Sequence, residues 1–184
     1  MRKHFMMIMA ISLLCVGLAG CEGGSSPISK YCISLEKARE KMYKEDITNR
    51  DLTREINTQF MGQQLTTETD GDVFFEIIEP FKVTDLSPLY GGIEFEALIK
   101  STTPENTHPA KPQDYVFIAC DDNKPIIILD CKSKWNEDES YNIRFFLNVG
   151  NIIQGGEGAD EKMRGINRIV ITEYGSDLFQ KINN

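Results

Sequence analysis

Acid–base chemistry near neutral pH most often uses histidine. This chain has two histidines, His4 and His108. His108 lies in a Pro-rich stretch, STTPENTHPAKPQD (residues 101–114), with no apolar pattern around it. That reads as a solvated residue on an exposed loop. No G-x-S-x-G elbow and no H-E-x-x-H helix occurs, so nothing positions a nucleophile or a zinc ion against it. The cysteines lack C-x-x-C spacing, and with one histidine outside the leader they make a poor zinc set. Glu68, Asp70 and Asp72 bracket a turn, and Glu137-Asp138-Glu139 form a second acidic tip. Neither has the twelve-residue spacing of an EF-hand, and both read as solvated. The loop Gly155-Gly156-Glu157-Gly158-Ala159-Asp160-Glu161 lacks the Lys-Ser/Thr ending of a phosphate loop, and its carboxylates repel phosphate. Glu94 and Glu96 share one face of a strand pattern. They are the best candidates for the carboxylate pair a glycan hydrolase sets about 5–10 Å apart across a cleft. A solvated strand face is the plainer reading. No catalytic set, metal site or cofactor is expected from these residues. Trp135 and Tyr90 are the candidate interaction residues, because large aromatics are enriched among interface hot spots. Trp135 serves equally well as a hairpin anchor.

The N-terminus has its own pattern. Arg2 and Lys3 precede Phe5–Ala19, fifteen residues without a charge. Spanning a bilayer takes about 20 residues, so this run is short for a span and suited to a secretory leader. It ends in Leu18-Ala19-Gly20-Cys21. That sequence resembles the lipobox of bacterial lipoproteins. The resemblance covers about the first 21 residues and implies that residues 1–20 are removed and that Cys21 carries lipid. Such acyl chains hold a protein on a membrane, at roughly 0.8 kcal/mol per buried CH₂. Residues 21–30 then form the lipidated Cys and a flexible Gly/Ser/Pro tether. Residue 22 is Glu rather than Asp, which by the same resemblance favours the outer membrane in a cell that has one. The expected location is a lipid-anchored domain facing the periplasm or the outside.

Removing Arg2 and Lys3 with the leader takes the net charge from −8 to −10. An acidic chain of this kind does not suit nucleic acid, whose backbone rewards basic surface. An envelope protein or a basic protein is the expected partner, beside the membrane itself. Residues 31–184 are one domain's worth of chain.

The elements that must position these residues follow from periodicity. Ser34 to about Lys44 reads as a helix, with Leu35, Ala38 and Met42 on one face. Thr48 or Asn49 caps a second, with Leu52, Ile56 and Phe60 in line. The period then becomes two. Gln64–Thr69 and Asp72–Glu79 suggest a hairpin across Asp70-Gly71, with Pro80 ending the strand or marking a bulge. Ile93–Lys100 and Tyr141–Val149 alternate, and Asn167–Tyr174 reads as the last strand. A short helix capped by Ser176 carries Leu178, Phe179 and Ile182. Tyr115–Cys120 and Ile126–Lys132 form the clearest hairpin, in a register pairing Cys120 with Ile127, Ile118 with Leu129 and Val116 with Cys131. That register puts all six on one face and holds Cys120 and Cys131 roughly 13 Å apart. A disulfide between them is therefore excluded, and any bridge would use Cys32.

The expected fold is α+β, without the βαβ alternation of a parallel sheet. One helix or two short ones pack on a curved antiparallel sheet or small barrel of about seven strands, an OB-like barrel being one candidate. The expected function is a non-enzymatic protein-binding or assembly module on the envelope. The alternatives are a carboxylate-based hydrolase acting on a glycan and a barrel that binds a small ligand.

Overall fold

A computed structural model describes residues 26–45, 48–88, 90–104, 108–149 and 163–183. The leader, Cys21 and the loop from Gly155 to Glu161 lie outside them. Helix α1 spans Pro27–Glu45 and α2 spans Asn49–Phe60. The strands are β1 (Thr66–Asp70), β2 (Phe75–Ser87), β3 (Gly92–Ser101), β4 (Tyr115–Asp121), β5 (Lys124–Ile128), β6 (Lys132–Trp135), β7 (Ser140–Asn148) and β8 (Arg168–Glu173). Helix α3, Asp177–Asn183, ends the described chain.

Helix α1 begins seven residues before the expected Ser34, inside the segment assigned to a tether. The cause is local. Ser26 Oγ accepts from Ser29 N at 3.2 Å, and Pro27 takes the first helical position, where its missing N–H costs nothing. Ser26 Oγ also donates to Arg164 O at 2.6 Å. Ile28, Tyr31, Cys32 and Leu35 are then fully buried. The buried Tyr31 hydroxyl donates to Gly92 O, and its ring meets Phe60 of α2 edge-on at 5.4 Å. Thr48 caps α2 as expected.

The fold is α+β, with two four-stranded sheets rather than a barrel. The first sheet runs β1-β8-β4-β5 and the second β2-β3-β7-β6. Their inner faces share one core, in which Phe81 meets Phe117 and Phe145, and Phe95 stacks on Phe145. Along one side the chain stitches the sheets together. Leu65 N bonds to Phe81 O on β2, and the next residue, Thr66, bonds to Asn167 O beside β8. Across the other side the edge strands β5 and β6 are joined through residues 129–131 but do not pair.

The expected hairpin across Asp70-Gly71 is also corrected. A turn forms there, with Gly71 at φ 82°, yet it links the two sheets instead of two neighbours. β1 lies parallel to β8, because its entry is already tied to the edge of β2. β2 continues through Pro80 with register shifts on both sides of it, a tolerable course for an edge strand.

The β4–β5 hairpin forms in a register one residue away from the expected one. Ile118 pairs with Ile128 and Ala119 with Ile127, and Leu129 N donates to Phe117 O. One residue of slip exchanges the faces. Val116, Ile118 and Cys120 look away from the second sheet, onto Leu178, Phe179 and Ile182 of α3. Leu129 and Cys131 instead pack on the main core. Cys120 and Cys131 therefore lie on opposite faces of the sheet, and no disulfide joins Cys32, Cys120 and Cys131.

Ser26→Ala should lower unfolding stability by about 1 kcal/mol in urea titration, because it removes a helix cap. Burial, followed by the charge of Asp130, pushes the Cys131 thiol up to about 12. An unfolded thiol loses its proton from pH ~9, so above that the folded state binds more protons and stability should fall as pH rises from 9 towards 12. At pH 8 the native thiol should alkylate about 10³-fold more slowly than in the urea-unfolded chain, measured by mass spectrometry.

Candidate functional site

The hairpin of β6 and β7 carries Trp135, and its turn explains its shape. Asn136 N donates to Ser140 O at 2.9 Å, and Glu139 takes the left-handed conformation at φ 64°. Asp138 Oδ1 accepts from Ser140 Oγ at 2.6 Å and from Ser140 N at 3.3 Å. Those hydrogen bonds, the side-chain one foremost, hold the Asp138 carboxyl below the ordinary carboxylate range. The acidic tip is thus a built turn.

From that turn a polar chain runs across the outer face of the second sheet. Asn136 Nδ2 donates to Ser140 Oγ and to Asn142 Oδ1, at 2.9 and 2.8 Å. Asn142 Nδ2 donates to Glu96 Oε1 at 2.9 Å. Arg144 lies between two carboxylates, 3.7 Å from Glu96 and 3.9 Å from Glu94. Thr84 Oγ1 donates to Glu94 Oε1 at 3.3 Å. Glu94 and Glu96 therefore stand side by side on one strand with a guanidinium between them. They do not face each other across a cleft, and Arg144 supplies the counter-charge a catalytic acid would lack. Beside them is a groove of about 360 Å³ lined by Glu94, Asp130, Lys132, Arg144, Phe145 and Phe146. It forms where β6 stops short of Phe146. The half-exposed ring of Phe146 lies over Gly92, where any Cβ would meet it at 2.5 Å. Phe146 was not singled out from sequence, although its place out of phase with Tyr141, Ile143, Phe145 and Leu147 marked it as outward.

Trp135 packs edge-on against Tyr141 at 4.8 Å and remains 47% exposed. It is an anchor and a surface residue at once. β6 is the edge of its sheet, and all four of its residues are exposed. Asn136 bonds back to Ser140, so alternation along the antiparallel ladder turns the backbone groups of Ser133 and Trp135 outward. Lys132 and Lys134, in register with Arg144 and Asn142, share the outer face with them.

Tyr90 is 75% exposed on the turn between β2 and β3. It does not join Trp135. Tyr90 precedes Gly92 at one end of β3, whereas Trp135 pairs with Tyr141 opposite Ile99 at the other, roughly 24 Å along the strand. His108 is exposed in its loop. Glu68 is paired with Arg168 at 2.8 Å, apart from any shared site with Asp70 and Asp72. Among the described residues no group of three His, Cys, Asp or Glu is placed to hold a metal ion, and no helix is long and apolar enough to cross a membrane.

No family model, curated protein or solved structure matches the chain. Arg144→Ala should leave Glu94 and Glu96 as unshielded neighbours. The expected cost is about 0.5–1 kcal/mol in thermal unfolding at low salt, shrinking in 1 M NaCl.

Proposed function

We propose that this chain is a lipid-anchored envelope protein that binds another protein through the free edge of β6, with no catalytic role. The observation that supports the reading best is the edge itself. Among the described residues nothing pairs with the outward backbone groups of Ser133 and Trp135, and Trp135 offers a half-exposed ring beside them. Main-chain pairing of an added strand supplies affinity, and an adjacent aromatic supplies specificity. Lys132 and Lys134 resist self-pairing, since lysine on an edge opposes a second copy of itself. That favours a different chain, an envelope protein, as the partner at this edge. The lipobox resemblance at Cys21 supports the location.

The paired state of Glu94 and Glu96 with Arg144 weighs against the hydrolase alternative, and two open sheets leave no barrel interior for a ligand.

The test is affinity capture from detergent-solubilised envelope with the full lipidated chain. Ser133→Pro removes an outward N–H without touching the ladder to β7, so the fold should lose less than ~1 kcal/mol. One stoichiometric partner is expected, lost with Ser133→Pro and weakened at least about tenfold by Trp135→Ala, the loss typical of an interface hot spot. Undiminished capture by both variants would rule out the edge. Absence of any partner over a range of salt would turn attention to glycans and small ligands.

A further inference from the structure

The chain that enters α1 is short. Ser26 is only 4% exposed and its hydroxyl is bonded to Arg164 O, so the domain holds the chain from that residue onward. Only residues 22–25 separate Ser26 from Cys21. Five steps of extended backbone span at most about 18 Å. If Cys21 is acylated it lies at headgroup level, and Ser26 cannot be farther from it than that. The position of Ser26 in the domain therefore decides which end faces the membrane.

Three contacts place it. Arg164 O accepts from Ser26, and the next residue, Gly165, packs so tightly on the Asp121 carboxylate that a Cβ would meet it at 2.6 Å. Asp121 opens the turn between β4 and β5. Tyr31, five residues beyond Ser26, bonds to Gly92 at the start of β3. The start of α1, the β4–β5 turn and the β2–β3 turn thus form one end of the two-sheet body. Trp135 and the Glu137–Glu139 tip lie at the other. Tyr90, on the β2–β3 turn, is the large apolar side chain most exposed among the described residues.

We propose that the domain rests directly on the bilayer with this end down, that Tyr90 enters the headgroup region, and that the free edge of β6 points away. The inference rests on lipidation of Cys21. A tyrosine suits that depth, since its ring is apolar and its hydroxyl stays hydrated. Among the described residues, Asp121 and Asp122 share the end with Lys30 and Lys124, and Arg164 is paired with Glu36, so cations are not in excess there. Attraction to anionic lipid is not the driving force. The acyl anchor sets the approach and the ring adds interfacial burial.

The test uses the full lipidated protein in phosphatidylcholine vesicles carrying a nitroxide on the headgroup. The wild-type chain has one tryptophan, Trp135, which reports the far end. Tyr90→Trp combined with Trp135→Phe reports the near end, at an exposed position where the larger ring disturbs no packing. Emission from position 90 should fall at least about twofold, as for an interfacial side chain, while Trp135 emission is unchanged. Substituting a quarter of the lipid with phosphatidylglycerol should leave both readings as they are. Quenching at position 90 no greater than at Trp135, in protein that floats with the vesicles, would overturn the orientation and leave the anchor standing. A wild-type chain that fails to float, like a Cys21→Ser control, would overturn the anchor and this inference with it.

Discussion

Strands β4 and β8 are buried on both faces, and the architecture follows from that requirement. Five consecutive residues of β4, Val116 to Cys120, are buried, as are Ile169 to Thr172 of β8. Such strands need a cover on each side. The second sheet covers one face through Phe81, Phe95 and Phe145. Helix α3 covers the other with Leu178, Phe179 and Ile182. The polar strand β1 and the partly exposed strand β5 are left to the edges of the first sheet. With its inner face committed to that core, the second sheet is free to carry charge on its outer face, and the ladder from Asn136 to Thr84 occupies it.

The same requirement explains which features were legible in the sequence. β3 and β7 are buried on one face only, and their alternation is plain at Ile93–Ile99 and Tyr141–Leu147. The cap of α2 at Thr48 and the final helix behind Ser176 are local signals, and both are where periodicity puts them. The β4–β5 register was not legible, because alternation cannot choose a face when both faces are apolar. The start of α1 was legible in principle. Ser26-Pro27 is a cap followed by a first-turn proline, hidden by the Gly and Ser that precede it. The parallel pairing of β1 with β8 joins residues about a hundred positions apart, beyond any local pattern.

The candidate surface divides in the same way. Trp135 stood out by type alone. The polar chain that runs from the same hairpin did not, since Asn136, Asn142, Glu96 and Arg144 meet only once β6, β7 and β3 are in register. Tyr90 and Trp135 are both isolated aromatics in the sequence, yet they occupy opposite ends of the body. On the proposed reading, that separation lets one end serve attachment and the other serve recognition without competing for surface.

The position of β8 has a consequence for when the protein can fold. β8 pairs on both sides, with β1 and with β4, and among the described strands it comes last. Delivered from its N-terminus, by ribosome or by export channel, β1 emerges long before its neighbour exists. Closing the first sheet is therefore a late event of high contact order, which slows folding. The apolar face of β4 must also wait for α3, which follows β8. A chain whose first sheet closes only after β8 is made stays open and threadable until then.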